Sequence, residues 1–212
     1  MKVDHFYHLY ADGQSSEEAF DEHFKSLKKS ELLNIFNSIK ISFIGSEEKI
    51  SFFKNKLNNY EINYEILKEE KSGYEQVTIN KLYEFSLQND GYVFYAHTKG
   101  AMSNNRDWRR LMLYYNIIKW RDCLNLLEQG NDTVGCYLVK RTDLSEHVNH
   151  DYFYAGNFWW ANLNYIRTLN YPLNDHRYNA EGWIGLNMNK KMFSFQQEMP
   201  NIKDELNDLF WL

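Results

Sequence analysis

The tetrapeptide His97-Thr98-Lys99-Gly100 is the first segment whose residue types suggest binding chemistry. It follows the apolar and aromatic run Tyr92–Ala96, so its polar side chains emerge where a strand is expected to end. A glycine lets the backbone approach a ligand closely. Three arginines follow at or near the start of a predicted helix: Arg106, Arg109 and Arg110. Together they predict an anion site, and the alternative is a solvated, locally basic loop.

A second candidate pairs the segment Gly156–Ala161 with the segment Asp175–Trp183. Neighbouring residues of a strand point to opposite faces, so one of Trp159 and Trp160 can enter the core while the other lines a cleft for a sugar ring. Glu181 lies between small residues, where a carboxylate can stay reachable yet partly desolvated. The alternatives are plain packing for the indoles and an ordinary surface acid for Glu181.

Two further segments carry weaker signals. The run from His5 ends at Asp12, which can accept a hydrogen bond from a nucleoside, although a strand followed by a turn aspartate is common. His147 and His150 precede Asp151, but their spacing without a clear third ligand favours a polar loop over a metal site. The phosphate-binding, dinucleotide-binding, nucleophile-elbow and H-E-x-x-H motifs are missing, which disfavours nucleotide triphosphatases, Rossmann dehydrogenases and serine hydrolases.

Composition limits the class of protein. The 212 residues carry 24 Lys and Arg against 29 Asp and Glu, and this net charge of −5 disfavours general nucleic-acid binding. Aromatic residues make up 17% of the chain, which suits a core beside a stacking or sugar-binding cleft. Cys123 and Cys136 are expected to be buried free thiols in a reducing compartment. Without a signal-peptide pattern or an 18-residue apolar window, we expect no membrane span and a cytoplasmic protein.

The elements that must position these residues alternate along the chain. The predicted strands are Val3–Tyr10, Ile39–Ile44, Tyr60–Leu67, Tyr92–His97, Val134–Val139 and Tyr152–Ala161. The predicted helices are Ser16–Lys29, Glu47–Leu57, Val77–Gln88, Trp108–Glu128 and Asn164–Leu169. Such alternation predicts one α/β domain over residues 1–212, with a mostly parallel mixed sheet of about six strands covered by helices on both faces. Ligands of such sheets bind outside the carboxyl ends of the strands.

Three groups of segments occur in order along the whole chain: HFYHLYADG, YVFYAHTKGA with the following WRR, and YFYAGNFWWANLNYIRTL leading to RYNAEGWIG. In combination they resemble small GT-A nucleotide-sugar glycosyltransferases of bacterial surface-polysaccharide clusters, and of chlorella viruses that glycosylate their own capsid. The resemblance implies a GT-A-like domain. Its nucleotide-binding half would span about residues 1–100, and its acceptor half about residues 101–212.

The resemblance, together with the anion-site residues, implies a role for each candidate. The donor nucleotide is expected to contact His8, Tyr10, Ala11, Asp12, Thr78, Asn80, Lys81, His97, Thr98, Lys99, Arg106 and Arg109. The acceptor is expected to contact Asn157, Trp159, Trp160 and Arg177. Glu181 resembles the general base of inverting GT-A enzymes, and Asp175 is the next candidate.

The chain departs from the family pattern at His97-Thr98-Lys99, where GT-A enzymes carry Asp-x-Asp and hold a divalent metal. A histidine and a lysine remove the main reason to expect tight metal binding and offer cationic neutralisation of a diphosphate. No metal ligand is assigned, and Mn²⁺ or Mg²⁺ bound with the donor phosphates stays open as a cofactor.

The implied function is transfer of a sugar from a nucleoside diphosphate donor, with UDP foremost, to a hydroxyl of a glycan or glycoprotein acceptor. Inversion is expected, and retention stays open. A viral member would act in the host cytoplasm. The alternative is a non-catalytic nucleotide- or carbohydrate-binding module, a degenerate domain of a larger transferase. A nucleotidyltransferase would need paired metal-holding acids at strand ends, which the sequence does not offer.

Overall fold

The computed structural model describes residues 2–102, 105–140, 152–169, 177–187 and 190–195. The strands are β1 (Val3–Tyr10), β2 (Ser38–Ile44), β3 (Glu65–Glu70), β4 (Tyr92–His97), β5 (Thr133–Gly135), β6 (Leu138–Lys140), β7 (Tyr152–Tyr154), β8 (Trp159–Asn162) and β9 (Met192–Ser194). The α-helices are α1 (Ser16–Lys29), α2 (Glu47–Asn59), α3 (Gln76–Ser86), α4 (Arg106–Leu113), α5 (Trp120–Glu128), α6 (Leu163–Ile166) and α7 (Arg177–Gly182).

Within the described residues, seven strands form one mixed sheet in the order β3-β2-β1-β4-β8-β5-β9. β1 lies parallel between β2 and β4, whereas β8 runs antiparallel to both of its neighbours, β4 and β5. β6 and β7 form a separate antiparallel pair. The predicted α/β class with a mostly parallel mixed sheet is therefore confirmed, with seven strands instead of about six.

Both faces of the sheet are covered, because successive residues of each strand point to opposite sides. On β1, Tyr7 and Leu9 pack with residues of α1, α2 and α5, whereas Phe6 packs with Ile79 and Leu82 of α3. Burial on both faces explains why the central strands are almost continuously apolar.

The predicted helix Trp108–Glu128 is interrupted by a π-helical segment, Tyr114–Ile118, between α4 and α5. Asn116 lies in this segment, and its Nδ2 donates a hydrogen bond to the carbonyl of Met112 at 3.0 Å. The Asn116 carbonyl in turn accepts from Trp160 Nε1 at 2.9 Å. Both acceptors are backbone carbonyls that a regular α-helix would pair with the amide four residues further on, and the helix widens at this point.

Two predicted strands, Val134–Val139 and Tyr152–Ala161, are each divided into two by left-handed backbone. Tyr137 has φ 58°, and it separates β5 from β6. Gly156 and Asn157 have φ 96° and 56°, and they form the turn between β7 and β8. A residue in this conformation cannot continue a strand, so each segment changes direction there.

The third strand begins at Glu65 instead of the predicted Tyr60. The amides of Tyr60 and Glu61 donate to the carbonyls of Lys56 and Asn58, so these two residues close α2. Glu61 also has φ 57°, which turns the chain before β3 can start.

Cys123 and Cys136 are both free and buried, which confirms the predicted thiols. Burial raises the pKa of Cys136 to about 12, so this thiol stays protonated and unreactive near neutral pH. Within the described residues, no helix has both the length and the hydropathy that crossing a membrane requires.

Candidate functional site

The carboxyl ends of β1 and β4 meet at the centre of the sheet, where His8 pairs in register with His97. From β1 the sheet grows through β2 and β3 on one side, and it then resumes with β4 on the other side. In open α/β sheets, ligands bind in the crevice beside a reversal of this kind, and we refer to the space beside these two strand ends as the crevice between β1 and β4. The loops after the two strands also touch, since Ser15 N donates to the carbonyl of Ala101 at 2.9 Å.

The His97 side chain, 13% exposed, lies between two oxygen acceptors. Its Nδ1 is 2.7 Å from Glu75 Oε1, and its Nε2 is 2.9 Å from the carbonyl oxygen of Gly156. A carbonyl and an ionised carboxylate can only accept hydrogen bonds. Both contacts therefore form together when both ring nitrogens carry a proton, which makes the His97 ring a cation.

Glu75 stands immediately before α3, and 16% of its side chain is exposed. Burial alone would raise the pKa of its carboxyl group. The nearby His97 charge and its hydrogen bond outweigh burial and lower the pKa of Glu75 to about 2. Glu75 is therefore ionised at neutral pH and forms a largely desolvated ion pair with His97.

Three of the predicted donor contacts are engaged with protein groups. The ring of His8 is buried, with Nδ1 2.9 Å from Thr78 Oγ1, and burial lowers the pKa of His8 to about 4. His8 is therefore neutral at pH 7. Thr98 Oγ1 accepts from the amide of Tyr10 at 2.6 Å and donates to the His8 carbonyl at 3.3 Å. The two contacts of Thr98 join the end of β4 to the end of β1.

Lys99 follows directly and is half-buried beside the crevice. Its charge is close enough to Glu75 to help lower the pKa of that carboxyl. Among the residues that the structure describes, no ion pair to the Lys99 ammonium is found. Gly100 has φ +76°, and a side chain there would begin 3.1 Å from Arg109 Nη1. Lys99 is therefore the cation of this loop that can meet an anionic ligand.

The predicted anion site at the start of the long helix needs correction, because its arginines bind carboxylates of α1. Arg109 and Arg110 are buried, and their Nε atoms lie 2.7 and 2.8 Å from the carboxylate oxygens of Glu22. Arg106 forms an ion pair with Glu18. These pairs tie α1 to α4, and Arg109 Nη1 also donates to the Lys99 carbonyl at 3.2 Å. The arginines thus hold the loop instead of facing a phosphate.

Asp12 joins the carboxyl ends of β1 and β2. Its two carboxylate oxygens accept from the amide and hydroxyl of Ser46, at 2.9 and 2.8 Å. The neighbouring Ala11 is buried and its amide donates to the carbonyl of Ile44 at 2.7 Å. Gly45, against which Asp12 packs, borders a cleft of about 640 Å³ at the ends of β2 and β3. Asp12 is therefore a neighbour of Gly45, which lines this cleft.

Two other predicted donor contacts lie further along α3. Lys81 forms an ion pair with Glu84 at 2.6 Å, and 39% of its side chain is exposed. Asn80 is half-buried in the same turn. Within α3, Thr78 is the predicted residue that the structure brings to the end of β1.

Trp159 and Trp160 point to opposite faces of the sheet, but both are fully buried. The ring of Trp159 stacks on Tyr95 with centroids 4.8 Å apart, and the ring of Trp160 stacks on Phe94 at 5.0 Å. Asn157 is also buried, and its Oδ1 accepts from Trp159 Nε1 at 2.7 Å. The expectation that one indole lines a cleft is therefore wrong, because β8 lies inside the sheet and helices cover both of its faces.

Glu181 lies on α7, and its Oε1 accepts a hydrogen bond from the amide of Gly156 at 3.1 Å. The carbonyl of the same glycine accepts from His97. Segments that are 84 positions apart in the sequence therefore meet at one residue of the β7–β8 turn. The first two candidate segments of the sequence therefore come together in the structure, His97-Thr98-Lys99 from one and Glu181 from the other.

Several predicted residues cannot be compared with the structure. Asp175, the second candidate base, lies outside the described residues, and so do His147, His150 and Asp151. Arg177 begins α7, but its side chain is not described.

The groups at the end of β4 do not fit a divalent cation. Both nitrogens of His97 are engaged by protein oxygens, and Lys99 adds positive charge where Mn²⁺ or Mg²⁺ would need oxygen ligands. Across the described parts of the chain, no three His, Cys, Asp or Glu side chains come together as a metal site. We therefore derive no step through a metal.

The sequence offers Glu75 only as one of several acids that could recruit a metal with the donor phosphates, and its pairing with His97 is the part of the site that sequence reasoning missed. Glu75 is a single acid before a helix, and no motif links it to a histidine 22 positions later. Only the packing of α3 against β1 and β4 brings the two side chains together.

The sheet order and the crevice between β1 and β4 define an α/β protein of the doubly wound class. The chain belongs to the family described as Domain of unknown function (DUF8361), whose model matches residues 6–203. A comparison with curated proteins gives no match.

Two solved structures are similar to this chain at low sequence identity. A 4-diphosphocytidyl-2C-methyl-D-erythritol synthase from Anaerococcus prevotii DSM 20548 is 8% identical, with a TM-score of 0.50 over 99% of this chain and 95% of that chain. HddC from Yersinia pseudotuberculosis is 9% identical, with a TM-score of 0.49 over 92% and 90% of the two chains. The first of these similarities shows a shared fold.

Replacing Glu75 tests the ion pair through the pH dependence of stability. A carboxyl whose pKa is lowered on folding stabilises the protein above its unfolded pKa, and this stabilisation is lost as pH falls through the folded value. At pH 7, Glu75→Gln should lower the free energy of unfolding by roughly 3 kcal/mol. The difference from wild type should shrink between about pH 4.5 and pH 2, as followed by urea denaturation.

Glu84→Gln is the matched control on the same helix. Because the ion pair of Glu84 with Lys81 is exposed, this substitution should change the free energy of unfolding by less than about 1 kcal/mol. Equal pH profiles for the two variants would contradict the ion pair between Glu75 and His97.

Proposed function

We propose that the protein is a glycosyltransferase that moves a sugar from a nucleoside diphosphate donor to a hydroxyl of a glycan acceptor. The observation that supports the proposal is the chain of contacts from His97 through Gly156 to Glu181, at the carboxyl end of β4, where Lys99 follows His97 by two residues. A cation for a leaving diphosphate and a carboxylate for an acceptor hydroxyl are the two groups that inverting transfer needs.

The donor half of the proposal rests on charge and on topology. Lys99 supplies positive charge after the end of β4, and the Asp12–Ser46 contact lies beside Gly45, which lines an open cleft at the ends of β2 and β3. Anionic groups bind at this edge of doubly wound sheets. The synthase from Anaerococcus prevotii is named for a diphosphocytidyl compound, so its fold serves nucleotide chemistry in that protein.

The chemical step assigns one role to each group. Glu181 accepts the proton of the acceptor hydroxyl while the hydroxyl oxygen forms a bond to the anomeric carbon. The bond from that carbon to the diphosphate oxygen breaks, and its electron pair leaves with the diphosphate. Lys99 stabilises the developing negative charge, and preorganised charges of this kind are usually the largest catalytic contribution. Attack from the opposite face gives inversion.

A second candidate from the same fold class is a nucleotidyltransferase, which the name of the Anaerococcus synthase favours. That reaction consumes a nucleoside triphosphate and releases pyrophosphate, whereas a glycosyltransferase releases a nucleoside diphosphate. A binding module would bind nucleotide without releasing either product. The products therefore separate the three functions.

The experiment is incubation of the full chain with a panel of nucleotide sugars, including UDP-glucose, UDP-galactose, UDP-N-acetylglucosamine and GDP-mannose. Mass spectrometry then detects slow hydrolysis to nucleoside diphosphate and free sugar. A parallel panel offers CTP or UTP with sugar phosphates. We expect hydrolysis in the first panel, and we expect it to persist with EDTA because the β4 end does not fit a metal. Pyrophosphate release, or turnover that needs Mn²⁺, would contradict the corresponding part of the proposal.

Lys99→Met should weaken binding of UDP by about ten- to a hundredfold, because a hydrogen bond to a charged group contributes roughly 1.5–3 kcal/mol. Isothermal titration calorimetry with UDP measures this. Lys81→Met is the matched control, since Lys81 pairs with Glu84 on the exposed side of α3. Equal affinities of the two variants for UDP would remove Lys99 from the donor site.

Glu181→Gln should reduce sugar transfer by about two to four orders of magnitude, because the amide cannot take the acceptor proton. UDP affinity should stay unchanged, and so should the melting temperature, since the amide oxygen can still accept from the Gly156 amide. Glu128→Gln, at the exposed end of α5, is the control. Near-normal transfer by Glu181→Gln would assign the base to another residue, with Asp175 as the next candidate.

A further inference from the structure

The ring of His97 has no hydrogen-bonding atom left for a ligand, although its place at the end of β4 suggests a donor contact. Nδ1 is directed to Glu75, and Nε2 is directed to the Gly156 carbonyl. The positive charge of His97 is therefore balanced by Glu75 within the protein.

Gly156 connects this ring to the proposed base. It has φ +96°, and a Cβ atom there would clash with Met112 Sδ and Trp108 Nε1. Trp108 Nε1 also donates to the carbonyl of the preceding Ala155 at 3.3 Å. In this fixed turn, the carbonyl of Gly156 faces His97 and its amide faces Glu181. A change in the His97 contact is thus passed to Glu181 over a single residue.

We propose that Glu75 is a positioning residue that keeps His97 doubly protonated, so that the His97 cation fixes Gly156 and thereby orients the Glu181 carboxylate. The inference rests on the proposed function in one respect, namely that Glu181 is the base. The contacts that link Glu75, His97 and Gly156 do not depend on that function.

The surrounding charges favour this arrangement. Burial lowers the pKa values of His8 on β1 and His23 on α1, so both rings are neutral near pH 7. Burial likewise raises the pKa of Tyr95 on β4 well above its usual value. The ionised groups around the ring are then Lys99, which opposes a second positive charge, and the carboxylates of Glu75 and Glu181. Since Glu181 reaches His97 only through Gly156, Glu75 is the direct counter-ion.

The test is ¹⁵N NMR of the full chain at pH 7, which reports the protonation of each histidine nitrogen. In wild type and in the control Glu84→Gln, both ring nitrogens of His97 should carry protons. In Glu75→Gln one of them should lose its proton. The amide of Gly156 should then exchange with solvent at least about tenfold faster than in Glu84→Gln, because a neutral ring donates a weaker hydrogen bond to the Gly156 carbonyl and holds the turn less firmly.

A neutral His97 ring in wild type would overturn the inference without any variant. Unchanged exchange of the Gly156 amide in a folded Glu75→Gln with a neutral ring would overturn it as well. If Glu75→Gln does not fold, Glu75→Asp retains the charge and should retain the doubly protonated ring. A neutral ring in that folded variant would contradict the assigned role.

Kinetics separate this inference from the proposed function. For a nucleotide sugar that wild type turns over, Glu75→Gln should lower kcat about tenfold or more at pH 7 and leave the donor KM unchanged. The shape of the pH profile of kcat should also change, whereas a purely structural role lowers kcat equally at every pH. Normal kcat with a neutral ring would overturn the inference alone. Absence of turnover by wild type, with the expected NMR result, would overturn only the proposed function.

Discussion

The desolvated contact of His97 with Glu75 and Gly156 holds together three segments that meet at the switch point of the sheet. Glu75 immediately precedes α3, His97 ends β4, and Gly156 lies in the β7–β8 turn. Removing one partner of a desolvated ion pair leaves an uncompensated charge, so the three segments depend on one another. Gly156 then extends the contact to Glu181 on α7. The crevice therefore has its shape only when all four segments are in place.

Some side chains around this contact hold the strand ends and loops in place, and others are the ones proposed to contact substrates. Thr98 and the buried His8 join β1 to β4, and Arg109 supports the loop from behind through Glu22 and the Lys99 carbonyl. Lys99 follows His97 by two residues, and Glu181 accepts from the amide of Gly156, whose carbonyl faces His97. A site built in this way carries its positive charge on the protein, where GT-A enzymes with Asp-x-Asp carry it on a metal.

Local sequence patterns predicted the elements that local chemistry determines. β1, α1 and β4 have the predicted bounds, because each is an unbroken apolar or amphipathic run that ends at a polar or turn residue. The π-helical segment around Asn116 depends on an indole from a distant strand, which no local pattern contains. The same limit explains the site. His97, Lys99 and Glu181 stand out by residue type, whereas Glu75 and the burial of both tryptophans follow from tertiary packing.

A crystal structure of the UDP complex would show whether the crevice between β1 and β4 binds the diphosphate of a nucleotide. We expect the diphosphate within hydrogen-bond distance of Lys99 Nζ, the nucleoside beside Asp12 and Ser46, and no contact from the ring nitrogens of His97. Another cleft of about 580 Å³, lined by Lys28 and Tyr60 among others, lies near the amino end of β2. UDP bound in that cleft, with the β1–β4 crevice empty, would rule out a donor site at the carboxyl ends of β1 and β4.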